Sequence, residues 1–106
     1  MQFVVINHAT RPDLTMTSKP HLQALVEHIA YMKDLHEQGK VLIAGGFLDG
    51  AGGMDIIDVD TVEEALEICH NDPLHKAVHI TQEIHPYGSD MGPRLDALST
   101  MLENME

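Results

Sequence analysis

HIAYMKDLHEQGKVLIAGG, residues His28 to Gly46, joins two periodicities across a single glycine. Its first half continues a helix that begins upstream, where Leu22, Leu25, Val26, Ile29 and Met32 recur at helical spacing. At about 100° per residue these side chains make one stripe, with Gln23, Glu27, Asp34 and Gln38 opposite. Pro20 suits the first helical turn behind a Ser18 cap, and Gly39 is a natural left-handed terminator. The second half, Val41 to Ala44, is a strand apolar on both faces, so it needs cover on both. His21, His28 and Leu35, spaced by sevens, run along the edge of the helical stripe. His28 is expected to face inward, among Leu, Val and Met. An imidazole there is either a hydrogen-bonded core residue or a working acid/base.

Gln2 to His8 carries Phe3-Val4-Val5-Ile6, a first strand that is also apolar on both faces. Gly45 to Gly53 is a glycine-rich connection into a third strand, Met54 to Asp60. So short a link predicts a hairpin with close backbone approach rather than a phosphate loop, because it lacks both the P-loop Lys-Ser/Thr and the GxGxxG order. Thr61-Val62-Glu63-Glu64 reads as a capping box starting a helix to about His70. Asn71-Asp72-Pro73 ends that helix, and Asp72 before Pro73 is itself a good N-cap. Val78 to His85 alternates as a fourth strand with one wetter face. Gly92 to Glu106, with Leu95, Leu98, Met101, Leu102 and Met105 at helical spacing, predicts a terminal helix or tail. The order β-α-β-β-α-β is that of an α+β, ferredoxin-like split βαβ domain. It is expected over residues 1–88, with a C-terminal helical extension over 89–106. Both helices would cover one sheet face and leave the other apolar. A second copy of the sheet would cover it, giving a homodimeric α+β barrel, alone or as the unit of a larger assembly.

Composition sets the outer limits. Seventeen acidic side chains against six basic give a formal charge of −11, which argues against nucleic acid and anionic membranes as partners. With one cysteine, Cys69, no intrachain disulfide framework is possible, and a reducing, cytoplasmic setting is expected. No signal peptide or spanning segment is legible. Cys69 has no basic neighbour to activate it and reads as a small apolar core residue. Eight histidines raise the question of metal, and His75 and His79 stand four apart. That spacing chelates only on a continuous helix, and His79 falls in the predicted fourth strand. Neither HExxH nor a Cys/His framework exists, so no metal site is expected.

The ordered set HIAYMKDLHEQGKVLIAGG…GGMDIIDVDTVEEALEICHNDPL resembles the YCII-related family of small bacterial proteins. The resemblance runs from about His28 to Leu74. Leu74 to Ser89 more faintly resembles muconolactone isomerases. The resemblance implies a dimeric α+β barrel in which a His/Asp pair, here His28 and Asp72, lines a pocket between helix and sheet. It implies a small-molecule ligand and chemistry without metal or organic cofactor: isomerisation of, or elimination from, a small aromatic-derived or lactone-like compound. Two departures touch the pocket wall. Ala44-Gly45-Gly46 stands where the family has Ala-Gly-Pro, and the tail after Ser89 is additional.

In this reading His28 is the general base/acid and Asp72 orients it, while capping the following turn. No serine nucleophile is in view, so the dyad would move protons. Tyr31, Gly45 and Gly46 are expected at the substrate, with His21 at the pocket mouth. His8, at the end of the first strand, either lines the pocket or lies on the surface. A non-catalytic ligand-binding or regulatory dimer is the alternative, and a cofactor-free oxygenase of the same architecture a third. The setting of His28 discriminates: beside Asp72 in a roomy pocket it points to an enzyme, packed on a carbonyl it points to a binder.

Overall fold

The computed structural model describes residues 1–15 and 17–105. Its elements are β1 (Gln2–Ala9), α1 (Lys19–Glu37), β2 (Val41–Gly46), β3 (Gly52–Asp58), α2 (Val62–His70), α3 (Pro73–Lys76), β4 (Ile80–Tyr87) and α4 (Leu95–Glu103). The four strands form one antiparallel sheet in the order β2-β3-β1-β4. This is the ferredoxin-like arrangement expected from the element order. Of the predicted terminal helix, Leu95 to Glu103 is helical and none of it is buried; Glu106 lies outside the described residues.

Strand alternation sorts the sheet into two faces. Phe3, Val5 and Ile57 are fully buried and, with Val41, meet Met32 and Leu35 of α1 and Ala65, Ile68 and Cys69 of α2. Val4, Ile6, Met54 and Ile56 point the other way, and no described element covers them. A bulge between Val41 and Ile43 changes the parity of β2. Val41 therefore pairs with buried Ile57, whereas Ile43 joins Ile56 on the uncovered face.

Two local expectations need correction. The buried side of α1 is Ala24, Met32 and Leu35, with His21, Leu25, His28 and Tyr31 half-buried; Leu22, Val26 and Ile29 are exposed. The cause lies in the sheet floor. Under the C-terminal half of α1 it offers Phe3, Val5 and Val41 as packing partners. Beneath the N-terminal half it presents Gly46, Gly53 and the polar Asn7, so that half stands over a cavity instead of a packed surface. The line His21–His28–Leu35, an edge by composition, is thus the centre of the inward side. The second correction is that β4 starts at Ile80 rather than Val78. Val78 adopts φ +60°, which an extended strand cannot contain.

The glycines between β2 and β3 are used for close approach. A Cβ on Gly53 would lie 2.4 Å from the Gly45 carbonyl oxygen, and one on Gly52, at φ +136°, would lie 1.8 Å from that of Asn7. Thr61 caps α2 as its motif predicts, its Oγ1 accepting the Glu64 N–H at 3.2 Å.

Candidate active site

Asp72 is fully buried at the N-cap of α3, where its Oδ1 accepts the Leu74 N–H at 2.9 Å. The same oxygen accepts the Nδ1–H of His28 at 2.8 Å. Capping and orienting are therefore done by one atom. The bond fixes the imidazole tautomer, with the proton on Nδ1 and a lone pair on Nε2, which bonds no other described residue. The His28 side chain retains 14% of its exposure, and that fraction opens onto a cavity of about 650 Å³.

Burial pulls the His28 pKa down, but the hydrogen bond and charge of Asp72, aided by the charge of Asp55, outweigh it. The net direction is upward from the ordinary value. Asp55 sits on the sheet floor, 2% exposed, its Oδ2 accepting Asn7 Nδ2–H at 3.1 Å. Asn7 Oδ1 in turn accepts Gln82 Nε2–H at 3.2 Å. Burial raises the Asp55 carboxyl pKa, with Asp72 adding to it and the Asn7 bond and His28 opposing. A chain of polar side chains from three strands thus underlies the dyad.

The cavity runs between the N-terminal half of α1 and the glycine end of the β2–β3 hairpin. Leu25, Ile29, Met32 and Leu74 make its apolar wall, and Ala44, Gly45 and Gly46 leave the opposite side smooth. His21 lies on the same wall as His28, and the loop after β1 contributes Arg11 and Leu14. Of the residues expected at the site, the fold brings His28, His21, Gly45 and Gly46 to this cavity, with Asp72 directly behind His28. Tyr31 and His8 stand elsewhere. Tyr31 donates its hydroxyl to the Ile68 carbonyl at 2.8 Å, and burial pushes its pKa up to about 12. His8 projects from the other sheet face and pairs with Glu83, because even-numbered residues of β1 point away from the helices.

Three cavity or floor residues were not expected at the site: Asn7, Asp55 and His79, the last weighed in the sequence only as a metal ligand. Asn7 and Asp55 carried a signal, since each is a polar residue at an inward, odd-numbered position of an otherwise apolar strand. His79 gave none, because the turn at Val78 is a tertiary feature. Among the described residues, no three His, Cys, Asp or Glu side chains are arranged to hold a metal ion, and no helix is long and apolar enough to cross a membrane.

Fold and site together define a ferredoxin-like α+β protein with a His–Asp dyad at the rim of a helix–sheet cavity. The chain belongs to the YCII-related family, whose domain model matches residues 1–85. A curated relative, the uncharacterized protein YjpA of Bacillus subtilis (strain 168), is 37% identical over 62 residues, 58% of this chain and 73% of that one. Two solved structures share the fold. The 5-chloro-2-hydroxyhydroquinone dehydrochlorinase TftG of Burkholderia phenoliruptrix AC1100, in complex with 2,5-dihydroxybenzoquinone, superposes with a TM-score of 0.70 at 19% identity, covering 85% of this chain and 96% of that one. Muconolactone isomerase gives 0.71 at 16%, covering 87% and 93%.

Proposed function

We propose that the protein is an isomerase or lyase that moves protons on a small aromatic-derived or lactone-like compound, with His28 as base and acid and Asp72 as its orienting partner. The observation carrying this reading is the 2.8 Å His28–Asp72 bond with Nε2 left free beside a 650 Å³ cavity. Nε2 takes a proton from a carbon next to a carbonyl, and the imidazolium so formed is stabilised by the buried Asp72 carboxylate. Returning that proton to another carbon completes an isomerisation. Departure of a leaving group with its electron pair, followed by loss of the proton from Nε2 to water, completes an elimination. The apolar wall suits a ring, and the smooth glycine side lets a flat ligand approach the backbone closely. The names of the two structural neighbours, a dehydrochlorinase and an isomerase, are of the same two reaction classes.

The working unit is a homodimer in this reading. Val4, Ile6, Ile43, Met54 and Ile56 form a continuous apolar band on the sheet face opposite the helices, and a second sheet would bury it.

Muconolactone and 5-chloro-2-hydroxyhydroquinone, assayed by ultraviolet absorbance and chloride release, test the chemistry. Turnover lost in His28→Ala and reduced in Asp72→Asn is the expected result. Turnover of either compound by His28→Ala at the wild-type rate would refute the mechanism. Binding of 2,5-dihydroxybenzoquinone without turnover of either compound would favour a ligand-binding dimer.

A further inference from the structure

At the N-terminal end of the cavity two more imidazoles meet. His21 Nδ1 lies 3.2 Å from His79 Nδ1, with ring centroids 5.2 Å apart. Both rings line the cavity that holds His28. His79 is 8% exposed. Neither Nε2 bonds another described residue, and neither is among the sealed, unpartnered atoms, which are Asp72 Oδ2 and His75 Nδ1. Both Nε2 atoms therefore remain available to a ligand.

His79 directly follows a strained residue at the end of α3. Among the described residues, Val78 is the one non-glycine at positive φ, and a β-branched residue strongly disfavours that region. Four hydrogen bonds hold the turn. Val78 N–H donates to His75 at 2.9 Å and His79 N–H to Leu74 at 3.0 Å. From the loop after β1, Thr10 N–H donates to the His79 carbonyl at 3.1 Å and Thr10 Oγ1–H to that of Val78 at 3.3 Å. The first two are the closing bonds of a helix end at a left-handed residue, and the Thr10 pair ties that end to the loop after β1.

We propose that His21 and His79 act as one hydrogen-bonded unit that binds a neutral hydroxyl group of the ligand, about two helical turns from the dyad. The inference rests on the reading of this cavity as a ligand site and names the ligand's second polar group. A neutral imidazole has one donor and one acceptor nitrogen. If one ring donates its Nδ1–H to the other's Nδ1, the first is left with an Nε2 lone pair and the second with an Nε2–H. The pair therefore offers one acceptor and one donor, which matches a hydroxyl, itself donor and acceptor. A carboxylate, acceptor only, would face the lone pair unfavourably. Burial, His21 and Arg11 hold the His79 imidazole below its ordinary pKa, with Asp13 opposing. Arg11 is already engaged, both its guanidinium contacts going to the Asp13 carboxylate at 3.0 and 2.9 Å. His21 and His28 are seven residues apart on α1, roughly 10 Å along the axis. A single ring with a hydrogen bond at each end spans that distance.

The test measures binding, so it does not depend on a reaction being found. Phenol, hydroquinone (without oxygen) and 4-hydroxybenzoate are titrated by calorimetry into the full chain and into His79→Phe and His21→Phe. Separately, ¹⁵N NMR of the ligand-free protein reads the tautomers. Hydroquinone is expected to bind the wild type at least tenfold more tightly than phenol or 4-hydroxybenzoate, and the advantage over phenol to fall below about twofold in either variant. The NMR spectrum is expected to show one ring protonated on Nδ1 and its partner on Nε2. Equal affinity for phenol and hydroquinone, an advantage that survives both substitutions, or two rings both protonated on Nε2 would each overturn the pair's role while leaving the cavity reading intact. Failure of all three compounds to bind the wild type would sink the cavity reading, and the inference with it. Should either variant not fold, the tautomer measurement on the wild type still decides.

Discussion

Replacing Asp72 by Asn changes one charge at the centre of the proposed site and little else in shape. Asn caps a helix about as well as Asp, so the Leu74 N–H and the His28 Nδ1–H both keep an acceptor in Oδ1. Asp72 Oδ2 is buried with no partner among the described residues, and the amide nitrogen taking its place would be an unsatisfied donor. That alone is expected to cost about 1–3 kcal/mol. The larger signature is in the pH dependence. In the wild type the His28 pKa is raised: burial lowers it, and Asp72, helped by Asp55, more than compensates. Without the Asp72 charge, burial is opposed by Asp55 alone, and the pKa is expected to fall below its ordinary value of about 6.5. The signs then differ. A raised folded-state pKa contributes stability that is complete below the unfolded value and is lost as pH rises through the folded one. A depressed pKa removes stability as pH falls below the unfolded value. The wild-type advantage over Asp72→Asn should therefore shrink as pH rises from about 5.5 to 8.5, by about 1.4 kcal/mol for each unit separating the two folded-state pKa values. Urea unfolding of both proteins at half-unit pH intervals gives this difference directly, and an NMR titration of His28 gives the two pKa values independently. Parallel stability curves, or a His28 pKa unmoved by the substitution, would refute the account of the dyad.

Because His28 must lose its proton to act as a base, kcat/KM of the wild type should rise with pH through a pKa above the ordinary histidine value. A rate flat from pH 6 to 9 would count against it. Gly53→Ala should destabilise by on the order of 1–3 kcal/mol, since its Cβ would meet the Gly45 carbonyl at 2.4 Å, whereas Gly45→Ala, with open space around it, should cost much less. Thermal melts of the two variants compare them. Cys69 is buried, and burial pushes its thiol pKa up to about 12, so it should resist a thiol reagent until the chain unfolds. Rapid native-state labelling would contradict its place in the core. Light scattering at micromolar concentration should return a dimer mass, and Ile56→Lys, on the uncovered sheet face, should yield a monomer.

Much of this protein is written locally in its sequence. Side chains repeat every two residues in a strand and every 3.6 in a helix, so Val4-Val5-Ile6 or Ala24 to Leu35 report their own conformation without reference to the rest of the chain. Thr61, Gly39 and Pro73 mark ends through interactions with their immediate neighbours. The order of elements, and the ferredoxin-like topology that follows from it, was legible for that reason. Asp72 was legible as a cap because Leu74 is two residues away. That it also meets His28, 44 residues distant, entered only through family resemblance, since the meeting depends on where α3 comes to rest against α1. Which side of α1 is buried was decided by the glycines and Asn7 of the sheet beneath it, not by the helix's own stripe. The Asn7–Asp55–Gln82 chain needs the register of three strands, and the His21–His79 contact needs a left-handed turn at Val78 held from another loop. Such contacts are long-range by nature: their free energy comes from groups that share no local periodicity, so only the assembled tertiary structure brings them together.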